Sequence, residues 1–522
     1  MTNTDIRRHS IGVSIGAFLS WAVRLHRLFA TFVAGGILCS GCAYTPPEPS
    51  VSEMERAQGV VAAIKLTNPA EQHEIEGYAS ASSVNRGEDI RLYVNTTDPT
   101  YTLEIFRMGW YGGAGSHLKF GPVTLTGIRQ APAMIADADA MLVEANWQNP
   151  YILHVANSAS GDWPSGVYVA KLTGSASGKQ SYIIFVVRDD QRRSDLLFQC
   201  SVNTWQAYNK WGGHSLYTRH PRAYKVSFNR PYRRGHGTGD FLFWEYPMVR
   251  FLEREGYDVT YTTDVDTHNR GDLPFLHKAV LIVGHDEYWT WEMRDNLEAA
   301  RNGGVSLGFF GANQGYWQVR YEPSPLTGEP NRTLVGYKGD ADLDPLFSSP
   351  EPNLRRRTTT QFRKTPVNRP EDALIGVMYD RAHVLDDIVV EDASHWVFDG
   401  TGLQNGDHLP GLLGYEVDRM FGNAPPNTQR IAHSPYIAKG HSGFADMTVY
   451  ETPSGSIVFA TGSMQWNWGL ADYRIRGRDF SNSSVQQSTR NVLSRFGAKP
   501  NVQMAQPLDS AAAFPNVPKA AF

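Results

Sequence analysis

Cysteine is scarce: this 522-residue chain has three, Cys39, Cys42 and Cys200. Two of them fall within the first 42 residues, so a chain cut there keeps only Cys200 and must hold together without disulfides. A surplus of either charge is missing too. The 49 Lys plus Arg face 53 Asp plus Glu, a formal balance of -4, which excludes a nucleic-acid partner bound by bulk positive charge. Near the N-terminus neither apolar run, Ile11 to Val23 or Leu28 to Leu38, reaches the ~20 residues a membrane-spanning helix needs. What remains is globular: 41% hydrophobic and 20% charged residues, with 48 Gly and 30 Pro marking many turns. The length exceeds the roughly 250 to 300 residues one core supports, so two domains plus tails are expected.

Arg7 and Arg8, the two apolar runs and then Cys39-Ser40-Gly41-Cys42 read as an export signal over residues 1–42. Cleavage before Cys42 with lipidation of that cysteine would leave an exported protein, periplasmic or held at the membrane as a lipoprotein. Ordinary cleavage nearby and a retained span are the alternatives. A linker over 43–73 follows.

From 74 to 190 short alternating segments such as Ile90-Arg91-Leu92-Tyr93-Val94 and Val167 to Leu172 predict strands with one wet face, hence a β-sandwich. From 191 to 497 the rhythm becomes strand, helix, strand, helix. That order needs crossovers and predicts a doubly wound α/β domain with a mostly parallel sheet. The fold class is therefore α+β with two domains. Helices are expected from Pro247 to Glu255, Trp291 to Ala300 and Ser483 to Phe496, a long loop from Arg320 to about Pro350, and a tail over 498–522.

Ligands of parallel sheets collect beyond the carboxyl ends of the strands. The apolar run Val280 to Val283 enters Gly284-His285-Asp286-Glu287-Tyr288-Trp289, the next strand ends in Phe310-Gly311-Ala312-Asn313, and the first runs through Cys200 to Asn203 and Tyr208. His285 and Glu287 are two apart, so an extended backbone points them the same way, as a metal ligand and its polar partner. Helix capping by Asp286 or Glu287 accounts for the same block equally well. Cys200 is a buried hydrophobe or, with His285 as base, a thiol nucleophile.

These blocks, with Phe106-Arg107-Met108-Gly109-Trp110-Tyr111-Gly112-Gly113, Leu413 to Asp418 and Gln465 to Leu470, resemble the large (beta) subunit of N,N-dimethylformamidase. The resemblance spans roughly residues 74 to 497. It implies a β-sandwich joined to a domain similar to the class I glutamine amidotransferase fold, and a mononuclear iron, Fe(III), held by two tyrosines and a glutamate. Carried over, these are Tyr168, Tyr208 and Glu287, with His285, Asn313 and Glu416 as the remaining polar groups. Glu416 would be the general base, Asn313 a donor to the oxyanion, and His285 the group that orients water or protonates the leaving amine. The implied activity is hydrolysis of a small or substituted amide to acid and amine, by a homo-oligomer or with a small accessory subunit. A non-enzymatic lipoprotein that binds carbohydrate or the cell surface, and a Cys200-dependent amidase, are the competing readings.

Overall fold

Strand alternation and buried-strand hydrophobicity are both realised in the computed structural model, which describes residues 64–157, 163–218 and 220–501. The expected signal segment, Cys39 and Cys42 lie outside them. Among the described residues no helix is long and apolar enough to cross a membrane. The protein is mixed α+β.

Residues 75–188 form two larger sheets and a two-stranded ribbon, Met134–Asp137 paired with Leu142–Glu144. One sheet has three strands, with Asp89–Thr96 at its centre; the other has five, with Gly166–Gly174 at its centre. Ile90, Leu92 and Val94 alternate inward and pack with Leu103, Ile105, Tyr168, Ala170 and Phe185.

After residue 190 a seven-stranded sheet dominates, beside a four-stranded sheet and the pair Met378–Val389 with His408–Arg419. In the seven-stranded sheet, strand Leu196–Cys200, second from one edge, lies between the edge strand Val259–Thr263 and Ala279–Gly284, followed by Ser306–Gly311 and Ile457–Ala460, all parallel. The chain thus leaves strand Leu196–Cys200 first one way and then the other, which opens a crevice between the ends of Leu196–Cys200 and Ala279–Gly284. Strands Gln429–Ala438 and His441–Glu451, not expected from the sequence, extend the far edge antiparallel.

Both faces are covered. Leu196, Phe198, Leu281 and Val283 pack with Val249 and Leu252 of helix Tyr246–Glu255, while Leu197, Val280 and Ile282 pack with Met293 and Leu297 of helix Trp291–Asn302. The first helix ends at Gly256, whose φ of 78° is left-handed; the second is capped by the Thr290 hydroxyl, which accepts from the Met293 N–H.

Some boundaries differ from expectation. The stretch from Arg320, expected as a loop, continues strand Trp317–Glu322 and contains Thr333–Val335, because Arg320 and Tyr321 pair with Val335 and Leu334. Residues 498–501, expected in a tail, are anchored: Ala498 is buried and the Asn501 N–H donates to the Gly256 carbonyl at 2.7 Å.

Candidate functional site

Strand Leu196–Cys200 gives way at Cys200 to helix Val202–Tyr208, so Tyr208 stands over the crevice. The neighbouring strand ends at Gly284, whose φ is 74° and where a Cβ would meet the Trp244 Cβ at 2.7 Å; this turn requires glycine. It delivers His285 and Glu287 into the same space. The Thr204 hydroxyl accepts from the Glu287 N–H at 2.9 Å, tying the two strand ends together.

Three oxygens meet there. The Tyr208 hydroxyl donates to Glu287 Oε2 at 2.9 Å, and the Tyr217 hydroxyl lies 2.7 Å from the Tyr208 hydroxyl and 3.0 Å from Glu287 Oε2. The two phenol rings stack with centroids 4.1 Å apart. Burial, and then the Glu287 charge, push the Tyr208 phenol well above its ordinary value; burial likewise raises Glu287, with His285 opposing it.

Beside this cluster His285 Nε2 lies 3.1 Å from Glu416 Oε2 and 3.4 Å from Glu287 Oε2. The first contact is an ion pair too poorly aligned to count as a hydrogen bond. Burial disfavours the imidazolium, yet Glu416 and Glu287 outweigh it and raise the His285 pKa to about 9. Asn313 Nδ2 donates to Glu416 Oε2 at 2.6 Å, and its backbone N–H donates to Asp418 Oδ1 at 2.7 Å. Glu416 and Asp418, two apart on strand His408–Arg419, thus both reach the end of the strand that carries Asn313.

Tyr208, His285 and Glu416 line a pocket with Arg234, Asp240, Trp244, Tyr415 and Met464. Arg234 lies over the Tyr208 ring, 5.2 Å from its centroid, and donates to Asp240 at 2.7 Å.

Sequence reasoning placed Tyr168 with Tyr208 and Glu287, and the structure does not bring it there. Its ring packs between Trp163 and Phe185 in the sandwich core, and its hydroxyl donates to the Pro164 carbonyl at 2.8 Å. An inward position on a strand buried on both sides leaves that side chain nowhere else to go. Tyr217, on the loop beyond Tyr208, takes the place. Nothing periodic marks it in the sequence; the only signal is its closeness to Tyr208 in the chain.

Two further residues carry no signal in the sequence. Lys338 Nζ donates to the Tyr288 hydroxyl at 2.8 Å and sits 3.4 Å from the Tyr217 ring centroid; burial lowers its pKa to about 7, with Glu287 opposing. Arg230, buried and with no carboxylate partner among the described residues, donates to the carbonyls of Asn209, Trp211 and His214 and to Gln206 Oε1. It thereby shapes the loop between the two tyrosines.

Cys200 does not enter the pocket. It is fully buried in the core and burial raises its thiol well above the ordinary value, so the thiol-nucleophile reading loses its nucleophile.

Residues 102–482 match the family described as N,N-dimethylformamidase beta subunit-like, C-terminal. The chain belongs to this family. A curated relative, the N,N-dimethylformamidase beta subunit of an Alcaligenes species, is 26% identical over 313 residues, covering 52% of this chain and 40% of the relative. Less than half of that relative's length is therefore matched. Two solved structures are similar over short stretches only. An alkylpurine DNA glycosylase of Pseudomonas fluorescens bound to DNA with an abasic site analog is 14% identical (26% of this chain, 34% of that one, TM-score 0.15). Murine CEACAM1b is 12% identical (23% and 57%, TM-score 0.12). Neither bears on the fold.

In this N,N-dimethylformamidase beta subunit-like chain the Phe106 to Gly113 block is a dock. Arg107 forms a two-pronged pair with Glu253 of helix Tyr246–Glu255 at 2.7 and 3.0 Å, and Trp110 Nε1 donates to Asp472 at 3.2 Å. A Cβ at Gly109 would stand 2.1 Å from Glu253 Oε2.

Proposed function

We propose that the protein is an amide hydrolase that uses a mononuclear iron held by Tyr208, Tyr217 and Glu287. The observation that carries this reading is the meeting of those three side-chain oxygens within hydrogen-bond distance of one another, beside His285 and Glu416. Among the described residues no group of three or more His, Cys, Asp and Glu could hold a metal ion. Two phenol oxygens and a carboxylate form a set of a different kind, hard and anionic once the phenols are deprotonated, which suits a hard trivalent ion. Iron(III) in that set would supply Lewis acidity, polarising an amide carbonyl and easing deprotonation of water.

The chain's own groups supply the proton traffic. Glu416 Oε2 takes a proton from water as its oxygen attacks the amide carbon, and Asn313 Nδ2 holds that carboxylate in place. His285 gives its proton to the amide nitrogen as the C–N bond breaks. One water is consumed and an acid and an amine leave. Trp244 and Met464 line the pocket and exclude bulk water.

Export through the N-terminal segment, with anchoring through a lipidated Cys42, belongs to the same proposal, as does an accessory subunit, in keeping with the relative's designation as a beta subunit. Similarity of the parallel-sheet domain to the class I glutamine amidotransferase fold is part of it as well.

The test is iron analysis and amine release on the purified full chain. Stoichiometric iron, a visible tyrosinate band and iron-dependent amine release are expected. An iron-free chain that cannot be loaded with iron overturns the reading.

A further inference from the structure

Lys338 is buried, and among the described residues no carboxylate comes within ion-pair distance of it. Burying an ammonium is costly, and here aromatic rings stand in for a counter-ion. Its Nζ sits 3.4 Å from the Tyr217 ring centroid, 5.1 Å from that of Trp317 and 5.4 Å from that of Tyr288, with Glu287 attracting it from farther off. The backbone holds it there under strain, at φ 61°, left-handed for a residue other than glycine. The Lys338 N–H donates to the Thr359 carbonyl at 2.9 Å, and Asp344 Oδ2 fixes Thr359 by accepting from both its N–H and its hydroxyl at 2.8 Å.

What this strap aims is a hydrogen-bond donor. Lys338 Nζ donates to the Tyr288 hydroxyl at 2.8 Å, and that hydroxyl lies 2.7 Å from the Tyr217 hydroxyl. An ammonium has hydrogens to give and no lone pair, so the Tyr288 oxygen accepts from it and the one Tyr288 hydrogen is left for Tyr217. Tyr288 is itself fixed: it is fully buried on strand Tyr288–Thr290, and its carbonyl accepts from Asn203 Nδ2 at 2.9 Å. Tyr208 has no such donor. Among the described residues its oxygen receives a hydrogen bond from Tyr217 alone, and a phenol that has given up its proton to hold a cation no longer donates.

We propose that Tyr288, oriented by Lys338, is a positioning residue whose hydrogen bond makes Tyr217 the weaker of the two phenolate ligands. The proposal rests on the iron reading and deepens it. A hydrogen bond draws electron density from the oxygen that receives it, so two side chains of one type become unequal ligands. Weaker donation at Tyr217 leaves the ion more electron-poor and a stronger Lewis acid toward an amide carbonyl.

The test loads the full chain with iron(III) and records the tyrosinate charge-transfer band, with amine release measured separately. Tyr288→Phe should move the band to longer wavelength, because an oxygen relieved of its hydrogen bond gives up an electron more readily, and amine release should fall roughly 10- to 100-fold. Lys338→Met should move the band the same way by less, and Lys338→Arg, which keeps a charged donor, should return it part of the way. A purely structural role for either side chain would lower Tm without moving the band. Should Tyr288→Phe fail to fold, the two Lys338 variants read the same hydrogen bond. A band unmoved in Tyr288→Phe, or in Lys338→Met, overturns the proposal and leaves the iron reading intact. A wild type that takes up no iron, or takes it up without the band, overturns both.

Discussion

The Tyr208 hydroxyl donates to Glu287 Oε2 at 2.9 Å across 79 residues of chain. Helix Val202–Tyr208 and the turn at Gly284 each follow a strand of the crevice, so the parallel pairing of those two strands brings phenol and carboxylate together. The contact is a product of the sheet, and the proposed iron site depends on it.

Tyr217→Phe should abolish iron binding and the visible band, whereas Tyr168→Phe should leave both intact, its lost hydrogen bond to Pro164 costing about 1 kcal/mol. Metal analysis and absorption spectra of the two variants decide between the tyrosines. An iron-replete Tyr217→Phe chain would refute the ligand assignment.

Glu416→Gln keeps the shape and the contact to Asn313 but removes the base. Turnover should fall by about 10²- to 10⁴-fold with iron content unchanged. A variant with wild-type turnover means that another group takes the proton.

Arg230→Met strips the carbonyls of Asn209, Trp211 and His214 of their donor. Unmade bonds of this kind add up to a loss of about 2–4 kcal/mol, read as a lower Tm, and the loop between Tyr208 and Tyr217 should lose its grip on iron. Retention of both properties would show that the loop is shaped by something else.

Glu371 gives a pH-dependent stability. Burial raises its folded-state pKa from the ordinary 4.5 to about 7, although Arg363 opposes this from 2.9 Å. The folded protein therefore holds a proton that the unfolded chain has released. The stabilisation linked to that proton is complete below about pH 4.5 and is lost as pH rises through about 7. Relative to Glu371→Gln, the wild type should lose Tm between pH 5 and 8. Parallel pH profiles for the two chains would contradict the assignment.

Much of the fold was legible in the sequence because local chemistry announces itself. Gly256 after an amphipathic run and Thr290 before one mark helix ends, and the residues they bound are helical as expected. The strand ends flanking the crevice were readable from apolar runs that stop at polar blocks, and the two-residue spacing of His285 and Glu287 does bring the two side chains together, His285 also reaching Glu416. Long strands at 378–389 and 429–451 were not readable, since their mixed polar and apolar residues gain their order from pairing with distant partners.

Sequence alone determined the inventory: a charge balance without a nucleic-acid bias, strands then alternating strands and helices, and a dense polar block at a strand end. Tertiary structure alone decided which tyrosine faces Glu287. Tyr168 and Tyr217 are the same residue type, and no local rule separates them. One sits on an inward position of a strand inside the sandwich core, the other on a loop that Arg230 folds back over the crevice. Burial and long-range hydrogen bonding, neither of which exists before the chain closes on itself, make that choice.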